Sequence, residues 1–305
     1  MNWLGRMQFL IVIILSSFAI TARADECLIY SFRIDGTGLR IEVPQESCPE
    51  FVAFGSPDFS PDGRKLMFDA TPTLGLFRNA RVLVMHVMGA TKGQIEDLDC
   101  GNCPAWSPDG KRIAFEVCVM NPKNFERGVW MMNADGSDAV RLGDGEYPRW
   151  HPSGESVICA FTGGPVSHLQ VGIETKTTTP FLDEYSHRVP IRWSPDGKKV
   201  LAVIQVGEEI QLVTMAPDGA RDSLVKLADG PMEFPIFSPD GQSVAYAVRR
   251  NNEGNDIYIV AVDGKSKPQK VDVAPGVNKE DLCWSKDGTR ILFSARTKSL
   301  LTEEQ

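Results

Sequence analysis

One five-residue phrase recurs six times along the chain and leaves few folds open to it. It reads Phe59-Ser60-Pro61-Asp62-Gly63, Trp106-Ser107-Pro108-Asp109-Gly110 and Trp150-His151-Pro152-Ser153-Gly154 in the first half. It continues as Trp193-Ser194-Pro195-Asp196-Gly197, Phe237-Ser238-Pro239-Asp240-Gly241 and Trp284-Ser285-Lys286-Asp287-Gly288. Successive glycines lie 43 to 47 residues apart, a period that belongs to architectures made by stacking one supersecondary unit. Proline presets φ for a turn, Asp or Ser bonds back to the local backbone, and Gly takes the positive-φ position. Each phrase therefore ends one strand on an aromatic residue and begins another.

The strand after each phrase alternates. Apolar residues fall three and five places after the glycine, as in Leu66/Phe68, Ile113/Phe115 and Val244/Tyr246, which is the period of a strand with one buried face. Second hairpins follow at Asp135-Gly136, Asp218-Gly219 and Asp263-Gly264, each beside an apolar run, and Asp-Gly is a strong hairpin signal. Each unit thus supplies about four strands, and no stretch reads as a helix. The chain opens on an orphan outer hairpin from Leu28 to Ile41 and closes on an orphan inner hairpin from Cys283 to Phe293. The expectation is an all-β, six-bladed β-propeller of four-stranded antiparallel blades over residues 25–295. Its last blade is expected to be closed by N-terminal outer strands and C-terminal inner strands. Stacking blades in a ring supplies the core that one blade lacks, so the molecule is expected to be monomeric.

The aromatic-Ser-Pro-Asp-Gly phrase, its apolar strand and hairpins such as Met132-Asn133-Ala134-Asp135-Gly136 resemble the WD40-like (PD40) repeat of TolB-like propellers. WD40 proteins proper match less well, because no Gly-His opens the repeats and no Trp-Asp closes them. In the TolB-like family an N-terminal domain contacts a Tol partner, and the propeller binds a peptidoglycan-associated lipoprotein. The resemblance implies a cell-envelope protein whose propeller mouth binds another protein or a peptide. The first propeller strand begins within a few residues of residue 25, so the N-terminal domain of the family is not expected.

Residues 1–24 stand apart. Arg6 is the only charge before an apolar run from Phe9 to Leu15, and Ala22-Arg23-Ala24 places small residues at −3 and −1 before Asp25. That order reads as a secretory signal peptide. The alternative is an uncleaved membrane anchor, for which the run is short, since a bilayer core takes about 20 residues; after cleavage no integral membrane segment is expected. The expected location is periplasmic or otherwise extracytoplasmic, and residues 296–305 read as a polar tail. The formal net charge is −8, and losing the leader removes two arginines and no acid. A domain this acidic is repelled by nucleic acid and by anionic lipid.

Catalytic motifs are scarce. No Gly-x-Ser-x-Gly elbow and no His-Glu-x-x-His pair occurs. His86, His151, His168 and His187 sit in different repeats, and His151 replaces the serine of a turn phrase. No catalytic residue is assigned, and any metal ligands stay unknown. Cys100-Gly101-Asn102-Cys103 is open to three readings: half of a zinc site, a redox pair or a local disulfide. A second close cysteine pair for zinc is missing, as is a helix N-terminus to activate a redox thiol. A disulfide is therefore expected there, with a second between Cys27 and Cys48, while Cys159 falls on a core position.

The rim of the channel remains. Loops feeding the inner strands carry Glu146, His187, Arg188, Glu233 and Asp281, and Arg149 and Arg192 directly precede a repeat tryptophan. Carboxylates focused at one mouth suit a basic peptide, a cationic ligand or Ca²⁺, with the arginines as counter-charges; no other cofactor is expected. The plainer account is that surface loops carry charge anyway. The functional expectation is an exported, non-catalytic protein- or peptide-binding scaffold of the envelope. The alternative is a metal-dependent propeller hydrolase or lyase acting on a carbohydrate or ester in the channel.

Overall fold

The computed structural model describes residues 26–74, 77–118, 126–161, 167–185, 190–250 and 254–296. The expected leader lies outside the described residues, as do His187, Arg188 and residues 297–305. Helical structure among the described residues is limited to 3-10 turns at Gln45–Ser47, Phe77–Asn79 and Arg221–Ser223. The rest is strand and turn. A first hairpin, β1 (Cys27–Arg33) and β2 (Arg40–Ile41), precedes β3 (Ala53–Phe59), β4 (Lys65–Thr71), β5 (Arg81–His86) and β6 (Ile95–Cys100). Next come β7 (Asn102–Trp106), β8 (Arg112–Val117), β9 (Gly128–Asn133) and β10 (Val140–Gly143). The third group is β11 (Glu146–Trp150), β12 (Ser156–Ala160), β13 (His168–Gly172) and β14 (Thr178–Pro180). The fourth is β15 (Arg192–Trp193), β16 (Val200–Val206), β17 (Glu209–Met215) and β18 (Val225–Asp229). The chain then runs through β19 (Glu233–Phe237), β20 (Ser243–Arg249), β21 (Asn255–Ala261) and β22 (Gln269–Val271) to β23 (Glu280–Trp284) and β24 (Arg290–Arg296).

The repeated phrase forms the turn after each innermost strand, and one hydrogen-bond pattern fixes it. In the first copy Ser60 Oγ donates to Asp62 Oδ1 at 2.6 Å, Asp62 accepts the Arg64 N–H at 3.0 Å, and Ser60 Oγ accepts the Lys65 N–H at 3.0 Å. Gly63 closes the turn at φ 69°. The same Ser-to-Asp bond recurs at Ser107, Ser194, Ser238 and Ser285. In the third copy His151 Nδ1 stands in for the serine and meets Ser153 Oγ at 2.8 Å. His151 is therefore a turn residue, its ring edge-on to Trp193 with centroids 4.4 Å apart.

The sheets correct the expected blade count. Hydrogen bonding defines four separate four-stranded antiparallel blades, β7 to β10, β11 to β14, β15 to β18 and β19 to β22, rather than six. The remaining eight strands form one continuous sheet in the order β23-β24-β1-β3-β4-β5-β6, with β2 on β1. The join is local: Cys27 pairs in parallel with Ala53, and its N–H donates to Val52 O at 2.9 Å. Strand β1 thus does not complete a separate closing blade. It pairs with β24 along its whole length, from Cys27 opposite Arg296 to Arg33 opposite Arg290, and carries the sheet on into β3. Arg296, expected to start the tail, is the last residue of β24.

Each sheet buries a face against the next. Met67, Val82 and Val84 pack on Trp106, Ile113 and Phe115; Ala114 and Val129 on Val157 and Cys159; Leu201 and Leu212 on Val244 and Tyr246. Phe54, Phe68 and Phe293 of the large sheet meet Ala245, Ala247 and Ile257 of the last small one. The large sheet therefore touches both the first and the last blade, and the ring closes around a channel lined by the innermost strands.

Candidate functional site

The innermost strands β3, β7, β11, β19 and β23 share a distortion. Their register against the next strand slips between Gly55 and Asp58, Asn102 and Ala105, Glu146 and Arg149, Glu233 and Ile236, and Glu280 and Cys283. At each slip one non-glycine residue holds positive φ: Ser56 (48°), Cys103 (49°), Tyr147 (54°), Phe234 (52°) and Asp281 (53°). Such residues are sparse in ordinary backbone and mark bulges that re-aim the following side chains. The matching position before Trp193 is Pro190, whose ring fixes φ near −65°. Strand β15 accordingly pairs only at Arg192 and Trp193.

After the bulge, the residue before each repeat aromatic lines a central cavity of about 480 Å³. Those residues are Asp58, Ala105, Arg149, Arg192, Ile236 and Cys283, with Lys286 from the last turn phrase beside them. Tryptophans 106, 150, 193 and 284 complete the wall. Asp58 accepts the Trp106 N–H at 2.8 Å. Burial pushes its carboxyl up, while Lys286, the Trp106 N–H and Arg149 pull it back. Arg149 Nη1 donates to Pro148 O at 2.7 Å and reaches Cys103 O at 3.4 Å. Arg192 keeps Nε and Nη1 buried with no hydrogen-bond partner among the described residues, and the indole N–H groups of Trp106, Trp193 and Trp284 share that condition. The sequence rule that singled out Arg149 and Arg192 applies equally to Asp58, which it missed. Lys286 was visible as the one lysine in the proline position of the phrase.

The expected rim carboxylates lie a few residues back along the same strands and are partnered. Glu146 pairs with Arg127, and Glu233 with Arg249 at 3.2 Å. Glu146 and Glu233 share one register position, whereas Asp281 sits one residue further on, on the bulge itself. Asp281 Oδ2 accepts the Ser56 N–H at 3.2 Å and the Ser294 hydroxyl at 3.0 Å. Beside it lies Asp69 on β4, whose Oδ2 accepts the Cys103 N–H at 2.8 Å. A Cβ on Gly55 would stand 2.9 Å from Asp69 Oδ1 and 3.2 Å from Asp281 Oδ2, so a glycine leaves room for both carboxyls. Burial first, then the nearby Asp281, pushes Asp69 up to about 6. Glu116 repeats the motif one strand group later, with Oε2 accepting the Tyr147 N–H at 3.0 Å. The structure therefore separates a bulge end rich in carboxyls from a turn end rich in cations, where the sequence placed both charges at one mouth.

All seven cysteines are thiols in the structure, including Cys27, Cys48, Cys100 and Cys103, for which two bridges were expected. Cys103 turns inward, where the Ser56 hydroxyl meets its sulfur at 3.6 Å, whereas Cys100 ends the neighbouring strand β6. Cys48 is buried in the core and Cys27 opens β1. Burial pushes Cys27 and Cys48 up to about 12 and Cys103 well above the ordinary thiol range, so these three stay protonated at neutral pH. Among the described residues no group of three or more His, Cys, Asp or Glu side chains is placed to hold a metal ion. None of their helices is long and apolar enough to cross a membrane.

No family model matches the chain. Among solved structures, a TolB candidate of Agrobacterium tumefaciens has a TM-score of 0.66 at 18% identity, covering 89% of this chain and 98% of that one. TolB of Acinetobacter baumannii has a TM-score of 0.62 at 19% identity, covering 82% of this chain and 63% of that one. An oligogalacturonate lyase of Vibrio parahaemolyticus reaches 0.51 at 10% identity, covering 81% of this chain and 79% of that one. Curated relatives match at 23% to 27% identity, and the chain spans about half or less of their length. The narrower expectation of a six-bladed WD40-like (PD40) propeller is thus withdrawn. What stands is a β-propeller whose fold, and fold alone, resembles TolB-family and lyase propellers.

Proposed function

We propose that the protein is an exported, non-catalytic binding scaffold of the cell envelope, sent out by the leader at residues 1–24. Its central channel holds a protein or peptide segment. The observation that carries this reading is the cavity of about 480 Å³, a volume typical of ligand sites. Every turn phrase contributes to its wall, and charged groups sit among aromatic and proline surfaces. The likeness to TolB structures supports an extracytoplasmic, protein-binding role by analogy of fold. The overall negative charge argues against nucleic acid as the partner.

Site-specific photocrosslinking in envelope fractions tests the proposal. A benzophenone residue at position 61, exposed on the channel wall, should yield one defined adduct. The same residue at exposed position 92, away from the channel, should yield none. No adduct from position 61, or the same adducts from both positions, would overturn the channel as a binding site.

A further inference from the structure

The turn end of the channel carries more positive than negative charge. Arg149, Arg192 and Lys286 reach its wall, and Asp58 is the one carboxylate among the described lining residues. Lys286 and Arg149 both act on Asp58 as counter-charges, so Arg192 is left over. Its Nε and Nη1 are buried and have no hydrogen-bond partner among the described residues. A guanidinium is a donor-only group that stays charged at all accessible pH, and an unpaired charge shielded from water is costly. Three indole N–H groups in the same wall, from Trp106, Trp193 and Trp284, are buried donors without acceptors. A wall that holds three cations against one carboxylate is complementary to an anion.

We propose that the channel binds carboxylate groups of an acidic peptide segment, with Arg192 as the anchoring cation. This rests on the reading of the channel as a peptide site and names the chemistry of its occupant. A carboxylate concentrates its negative charge on two oxygens and pairs well with a guanidinium. Aromatic rings and prolines between the cations present apolar faces to the aliphatic part of a peptide, which a bare inorganic anion does not use. The bulge end, with Asp69, Asp281 and Glu146, repels the same ligand. An acidic segment therefore enters and stays at the turn end.

The test uses residues 25–305 and a fluorescein-labelled octapeptide alternating Gly and Asp, followed by anisotropy and by tryptophan emission. The Asp peptide should bind at least tenfold tighter than its Gly-Asn counterpart, weaken with added salt and change the tryptophan emission. Arg192→Gln should lose at least tenfold in affinity while melting at or above the wild-type temperature, since the unpaired charge is gone. Lys286→Gln should also weaken binding, and a far-UV circular dichroism spectrum matching wild type in both variants guards against a folding artefact. Equal binding of the Asp and Asn peptides, or unchanged binding by Arg192→Gln, would overturn the proposal. Tighter binding of citrate or inorganic phosphate than of the Asp peptide would overturn the peptide as the source of the anion. A position-61 crosslink that persists while the Asp peptide fails to bind leaves the scaffold standing and removes the anionic class. Asp-peptide binding with no envelope adduct does the reverse.

Discussion

At the scale of single residues, Asp69 shows how the ring changes the meaning of a side chain. It follows Phe68 in the alternating strand β4 and reads from the sequence as an outward polar residue. Instead it is buried, accepts the Cys103 N–H and lies near Asp281, which together with burial raises its carboxyl to about 6 from an ordinary 3.8. A raised acid stabilises the fold fully below its unfolded value, and that contribution is lost as pH rises through the folded one. Wild-type stability should thus fall between about pH 4 and pH 6, by on the order of 3 kcal/mol. Asp69→Asn keeps an acceptor for Cys103 and cannot ionise. It should melt higher than wild type at pH 7.5, with the difference vanishing near pH 4; a pH-independent difference would rule out the ionisation as its cause. Arg149 and Arg192 were legible because their place before a repeat tryptophan fixes their direction. Asp69 was not, because its neighbours come from β7 and β23, far away in sequence.

Among the elements, the turn phrase was the most readable part of the chain, since its residues carry their own hydrogen bonds. Ser107 is fully buried, donates to Asp109 at 2.6 Å and accepts the Arg112 N–H at 2.9 Å. Ser107→Ala removes that acceptor and leaves a shielded backbone N–H unsatisfied, which costs about 1–3 kcal/mol. Urea denaturation should show a lower midpoint with an unchanged slope; a midpoint equal to wild type would mean that water replaces the hydroxyl. The bulges just upstream were not readable. Positive φ falls on Ser56, Cys103, Tyr147, Phe234 and Asp281, residue types with no common preference for it. Only Pro190, by breaking the series, has a local cause that the sequence displays. Those bulges aim the channel side chains, so the site was less legible than the strands that build it.

Across the whole molecule, the repeated phrase and the orphan end hairpins led to six blades with a closing blade of their own, whereas the structure carries β1 from β24 on into β3 within one sheet. The eight-stranded sheet depends on one parallel pairing, Cys27 with Ala53, a register that no local pattern encodes. Its core is more substantial than that single contact. Leu28, Ile29, Tyr30 and Phe32 of β1 are buried, and the Tyr30 ring stacks on Phe293 of β24 with centroids 5.7 Å apart. Four such side chains contribute on the order of 6–12 kcal/mol at about 1.5–3 kcal/mol each, comparable with the whole stability of an ordinary domain. Deleting residues 27–43 would also free the hydrogen-bonding edge of β24 along seven residues. The truncated chain should therefore lose its cooperative thermal transition by circular dichroism and associate through the exposed edge in sedimentation. A truncated chain that melts like residues 25–305 and stays monomeric would show that the ring does not need its N-terminal strand. The five sheets meet at five apolar seams, none of which joins the two ends of the chain. Loss of cooperativity from this one cut would show that the ring stands only when β1 closes it.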